Sequence, residues 1–308
     1  MDNLTHTLIG IGIARAGLSQ KLGRGTTVIL AVASNLPDID VACLMSGGPL
    51  AFLWRRTPTH SLLGAAILIV LATVVFRRYY PNLSASIIFG LTTLGVAGHV
   101  FADLWNAYGV VLFWPFDWRR VSLNWVYIID LVIWGLLVAS WAFSRARPQR
   151  TMRIWQTGLS LVAVYIGICA WCNNASANLA RAETHSTAPI YVYPEPFGPQ
   201  RFRAVVQQTN VYAHFLAYPF QHKIESLGKI VPEVKSPVVE AARRTEPARR
   251  LDWFLSTPVW RESTDGQAAT VYGLEFRSVV LRRGLPFTFR VTPDGQVSRE
   301  QLVAPDAN

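Results

Sequence analysis

Apolar residues gather in six stretches over the first part of the chain, near residues 4–18, 26–37, 61–76, 84–105, 124–143 and 154–172, each read as helical. The third, fifth and sixth have the length and composition of spanning helices. In the fourth, Gly90, Gly95 and Gly98 suit close packing between helices in lipid. The first two are short, as expected of half-spanning or interfacial helices. After Trp171 the pattern changes: residues 173–200 are polar and then Pro-rich, the composition of a linker. Alternation predicts strands at 201–208, 211–217, 269–277 and 286–292 and a helix near 237–256, and Pro293-Asp294-Gly295 marks a terminal hairpin. The expected fold is an all-α membrane helical bundle over residues 1–175, followed by a small α+β soluble domain over 176–308.

Charge supports that division. Residues 1–175 carry 13 Lys+Arg and 6 Asp+Glu, against 16 and 13 in the remainder. The net charge of +10 does not point to nucleic acid, because the basic residues of the first part sit in clusters between apolar runs and no zinc finger, basic helix or RNP-like strand accompanies them. They read instead as topology signals. Arg15, Lys21 and Arg24, then Arg77 and Arg78, then Arg145, Arg147, Arg150 and Arg153 fall on one side if the helices alternate, and that side is expected to be cytoplasmic. The C-terminal domain is then extracytoplasmic. Arg55, Arg56, Arg119 and Arg120 run against this assignment and read either as phosphate or headgroup contacts or as signs of the inverse orientation. The N-terminus lacks a basic n-region and a cleavage site, so no removable signal peptide is expected. Cys43, Cys169 and Cys172 show no framework spacing and predict no disulfide. Residues 108–125, rich in Trp, Pro and Phe, read as an interfacial aromatic belt or a substrate-binding wall.

The chemistry lies at the ends of the apolar stretches. Ser34-Asn35-Leu36-Pro37-Asp38-Ile39-Asp40, Thr57-Pro58-Thr59-His60-Ser61 and Gly98-His99-Val100-Phe101-Ala102-Asp103 place Asp38, Asp40, His60, His99 and Asp103 where an uncompensated charge is costly. A metal would remove that cost. His99 and Asp103, four apart, share one helix face. His6 opens the first stretch and completes a set of six oxygen or imidazole ligands without cysteine, a mix that suits one or two zinc ions, with manganese the alternative. All six are expected at the end opposite the basic loops. Asn106, Asp40 and Asp130 are candidates to orient ligands, and Arg55 and Arg56 to neutralise a phosphate. His185, His214 and His222 have no ligand spacing and read as ordinary polar residues.

These motifs together, with Gly-His-x3-Asp-x2-Asn-x2-Gly over residues 98–109, resemble the LexA-regulated, membrane-bound, metal-dependent hydrolases, the YdjM-like inner-membrane proteins of bacteria. The likeness covers roughly residues 1–145. One departure is Arg55, which stands where the family often has a His. The ligand order is also distantly similar to that of zinc-dependent phospholipase C and P1-type nucleases. That likeness implies one metal on an Asp of Pro37-Asp38-Ile39-Asp40 with His60, His99 and Asp103, and Asp103 bridging to a second metal on His6. The third metal's His-and-Glu set has no counterpart. The resemblance implies a membrane-bound hydrolase of a phosphoester in a lipid or lipid-linked substrate. The alternatives are an envelope or binding protein with a structural metal, and, with less support, a transporter.

Overall fold

The computed structural model describes residues 1–23, 25–209, 211–281 and 287–300. Arg24 and the first residue of the strand expected at 286–292 lie outside them. Contacts divide the chain into two units: Met1–Met45 with Trp54–Ala170, and Ser46–Leu53 with Trp171–Asn308.

The first unit is helical. Asp2 caps α1 (Asn3–Ile13) by accepting the Thr5 N–H at 3.0 Å. A π-type turn (Ala14–Leu18), in which Gly17 takes φ +144°, leads into the single-turn helix α2 (Ser19–Leu22). Next come α3 (Gly25–Ala33) and a 3₁₀ run (Leu36–Ser46) that carries Asp38 and Asp40. Ser61 caps α4 (Leu62–Tyr79) and Ser84 caps α5 (Ala85–Asp103), which ends on the second His/Asp pair. Helices α1, α3 and α5 meet through small residues. A Cβ on Gly10 would sit 2.7 Å from the Leu30 carbonyl oxygen, and one on Gly95 would sit 2.6 Å from the Ala33 Cβ. Gly90 and Gly98 have no such neighbour among the described residues.

Helix α6 (Leu131–Ala146) and helix α7 (Thr151–Thr184) complete the helical run. The fifth apolar stretch, expected to span, yields only these 16 helical residues. Its first part is irregular because Leu123 and Trp125 donate backbone N–H groups to Leu104 and Trp105 carbonyls, and the Asp130 carboxylate then starts α6 by capping Val132 and Ile133. Among the described residues, three helical stretches are long and apolar enough to cross a membrane, Leu62–Tyr79, Ala85–Asp103 and Pro148–Thr184. Gly25–Ala33 with Leu36–Ser46, bent by 41°, would make a fourth.

The expected linker at 173–200 is partly helix. Asn, Ala and Ser keep α7 continuous as far as Thr184, and Cys172 and Ala180 are buried in the core of the first of two antiparallel sheets. That sheet runs in order β1 (Ile190–Pro194), β2 (Phe202–Gln208), β3 (Val211–Tyr218), β4 (Lys223–Ile230). Strand β1 lies within the Pro-rich segment, and its edge position is where proline is tolerated. The helix expected at 237–256 is two, α8 (Pro237–Arg243) and α9 (Glu246–Phe254), because Thr245 caps the second and Pro247 sits in its first turn. The second sheet is β5 (Pro258–Glu262), β6 (Ala269–Gly273), β7 (Thr288–Val291), β8 (Val297–Arg299), its last pair forming the hairpin at Pro293-Asp294-Gly295. The fold is thus a helical N-terminal bundle with an α+β C-terminal part. Within the second unit Phe52 stacks on Phe289 at 5.1 Å and meets Phe254 edge-on at 4.9 Å.

Candidate metal centre

Three local structures bring the ligands together. The 3₁₀ run after α3 supplies Asp38, the turn before α4 supplies His60, and the last turn of α5 supplies His99 and Asp103. The turn can fold tightly onto α4 because Gly64 has no Cβ, which would otherwise collide with the Pro58 carbonyl. One donor atom from each of the four residues lies within 4.8 Å of the others, and all four side chains are buried. His60 Nε2 is 3.1 Å from His99 Nε2 and 3.1 Å from Asp103 Oδ2, and 3.8 Å from Asp38 Oδ1. His99 Nε2 is 3.5 Å from Asp103 Oδ2. Four donors about 2 Å from a tetrahedral cation stand roughly 3.3 Å apart, so these separations fit.

Hydrogen bonds fix both imidazole tautomers. His99 Nδ1 lies 2.7 Å from the Ser34 carbonyl, which only accepts, so the proton is on Nδ1 and Nε2 presents a lone pair. Thr59 donates its hydroxyl proton to Asp40 Oδ2 at 3.0 Å, leaving its oxygen to accept from His60 Nδ1, also at 3.0 Å. His60 Nδ1 is 3.3 Å from Asp40 Oδ2 as well, so the His60 proton also sits on Nδ1. Burial holds the His60 pKa below the ordinary 6.5 against the opposing effect of Asp40, which keeps the ring neutral. Two bare nitrogens therefore face each other with no proton between them. Asp38 Oδ2 and both oxygens of Asp103 are buried without a hydrogen-bond partner. This donor set fits a divalent cation.

The other expected residues surround these four. Asp40 stands behind His60, on its Nδ1 side. His6 stacks on His99 with centroids 3.7 Å apart, and its Nε2 is 3.3 Å from Asp103 Oδ1, so the two oxygens of Asp103 face different imidazoles. The Met1 amino nitrogen also abuts Asp103 Oδ1. Arg55, 23% exposed, donates to Asp38 Oδ1 at 2.6 Å and lies 3.3 Å from Asp40. Arg56 is buried: with φ +56° its side chain reaches Asp103 Oδ2 at 2.8 Å, at an angle that makes an ion pair rather than a hydrogen bond, and donates to Asn106 Oδ1 at 3.0 Å. Burial lowers the Arg56 pKa to about 10, still well above neutrality. Asn106 binds the Asp103 carbonyl and the Tyr108 N–H. Asp130 is engaged elsewhere, capping α6 and accepting from Tyr165 at 2.7 Å. Sequence reasoning gave no role to Ser34 or Thr59, and it read Tyr108 and Arg120 only as part of an aromatic segment and as a phosphate, headgroup or topology residue. Tyr108 lies under the Arg56 and Arg120 guanidiniums at 4.9 and 5.1 Å, and Arg120 donates to the Arg55 carbonyl at 2.7 Å. Of Ser34 and Thr59, only Thr59, inside the His60 motif, carried a readable signal.

The family model for the YdjM inner membrane protein matches residues 1–175, which contain every residue of this site. The chain belongs to the YdjM family. With its apolar helices, this YdjM-family chain is a membrane protein. It is also 28% identical over 276 residues to an uncharacterized protein, YfhP, of Bacillus subtilis (strain 168), a match covering 86% of this chain and 82% of that one. That similarity is too long to be confined to the YdjM region and reaches into the second unit. No solved structure matches, so the likeness to zinc-dependent phospholipase C and P1-type nucleases has no structural support.

Proposed function

We propose that this protein is a membrane-bound, metal-dependent hydrolase acting on a phosphoester in a lipid or lipid-linked substrate, with zinc as its metal. The observation that carries the reading is the pair of opposed His60 and His99 lone pairs, 3.1 Å apart, beside the Asp38 and Asp103 carboxylates. A cation held by these four residues supplies a Lewis acid for a phosphoryl oxygen and a source of hydroxide at neutral pH. The chain's own contribution is orientation: Ser34 and Thr59 with Asp40 set the imidazoles, and Arg56 holds Asp103. Arg55, the more exposed arginine and paired with Asp38, would meet an anionic substrate. Metal analysis of detergent-purified protein, paired with hydrolysis of a generic phosphodiester, is the test. His60→Ala, His99→Ala and Asp103→Ala should each abolish stoichiometric metal while leaving the protein inserted; wild-type metal content in all three would overturn the site. The complete burial of the four ligands favours a second reading, a structural metal tying helix ends together. Metal-loaded protein without phosphoesterase activity would select it.

The basic loop at 145–153 supports a cytoplasmic position for that loop and an extracytoplasmic second unit. Reporter fusions near residues 148 and 300 should report opposite compartments, and matching compartments would refute this orientation.

A further inference from the structure

Basic residues at the ends of membrane helices usually have an ordinary explanation, and two here show it. Arg77 donates to the Pro81 and Leu83 carbonyls at 2.6 and 2.5 Å, and Arg145 lies over the Trp141 ring at 5.2 Å. Arg147, Arg150 and Arg153 are different. All three are exposed, none has an acidic or hydrogen-bonding side-chain partner among the described residues, and all three line one crevice between α6 and α7. The crevice has a volume of about 680 Å³ and lies within the first unit. Below the arginines its walls are apolar, with Leu136, Phe143, Ile154 and Leu161. The two helices approach closely at Gly158 and Ser140, where a Cβ on Gly158 would collide with the Ser140 hydroxyl, and both residues belong to the crevice lining. Like charges gathered at one end of an apolar slot between two apolar helices of a membrane protein call for a ligand with the matching two-part chemistry, an anionic head and hydrocarbon chains.

We propose that the α6–α7 crevice is a binding site for an anionic diacyl phospholipid, its phosphate held by Arg147, Arg150 and Arg153 and an acyl chain lying against Leu136, Phe143 and Leu161. This site is separate from the metal centre and does not depend on the hydrolase reading.

The test uses the full chain in detergent, with phosphatidylglycerol and phosphatidylcholine as probes and native mass spectrometry and thermal shift as readouts. Phosphatidylglycerol should bind roughly tenfold to a hundredfold more tightly than phosphatidylcholine, and R147Q/R150Q/R153Q should remove most of that difference. Because the triple variant also alters a topology signal, Ala139→Trp and Thr157→Trp provide the second arm. Each fills the crevice with all three arginines intact and should weaken phosphatidylglycerol binding about tenfold or more without changing metal content. Equal binding of the two lipids would overturn the proposal. So would full phosphatidylglycerol binding in both tryptophan variants, which would mean charge attraction at the surface alone. Competition by inorganic phosphate at the same concentration as the lipid would also overturn it, since the occupant would then be a free anion.

Discussion

Arg55 and Arg56 are adjacent in sequence yet have unlike surroundings, and the difference governs what their removal should do. Arg56 is buried between Asp103 and Asn106, so Arg56→Ala removes the guanidinium paired with Asp103 Oδ2, takes a donor from Asn106 and opens a void beside them, an effect on the order of 3–5 kcal/mol. Thermal unfolding in detergent should register that loss, and metal content should fall with it. Arg55→Ala leaves Asp38 with the cation and with a route to water, because Arg55 is 23% exposed. It should keep fold and metal and weaken only the capture of an anionic substrate, read as a raised KM. Sequence alone treated the two as one phosphate-binding pair. What separates them is the left-handed φ of +56° at Arg56, which turns that side chain inward and which no residue pattern announces.

The ligand-bearing elements were largely readable. Each of the four clustered residues sits in a short motif at the edge of an apolar stretch, where the cost of isolated charge makes polar residues conspicuous. The partners that aim them were not, since Ser34 acts through its carbonyl and main-chain groups carry no sequence label. Helix limits were misjudged where a capping group overrode the apolar pattern, at Asp130 and at Thr245. Strand β1 was hidden by its prolines. One element-scale prediction follows from the turn before α4. Gly64→Ala introduces a methyl against the Pro58 carbonyl and displaces the segment bearing His60, at a cost of about 1–3 kcal/mol. Metal affinity, measured by competition with a chromogenic chelator, should drop in parallel. An unchanged affinity would show that the turn has more slack than its packing implies.

At the scale of the whole chain, the division into a helical membrane part and an α+β part was legible from where charge becomes frequent, but the assignment of Ser46–Leu53 to the second unit was not. Phe52 reads from sequence as one more apolar residue beside the first unit's motifs, and only tertiary structure reveals its aromatic neighbours Phe254 and Phe289. The opposed lone pairs of His60 and His99 have a consequence beyond chemistry at the site. With no cation, the two lone pairs face each other and the buried Asp38 Oδ2 and both oxygens of Asp103 have no hydrogen-bond donor, so a bound ion would contribute to the stability of the bundle as well as to any reaction. A membrane protein of marginal stability is continually sampled by cellular proteases. Growth with a zinc chelator should therefore shorten the lifetime of the wild-type protein, measured by pulse-chase, and leave that of His60→Ala with His99→Ala unchanged. The amount of this protein in the envelope would then track the zinc supply of the cell.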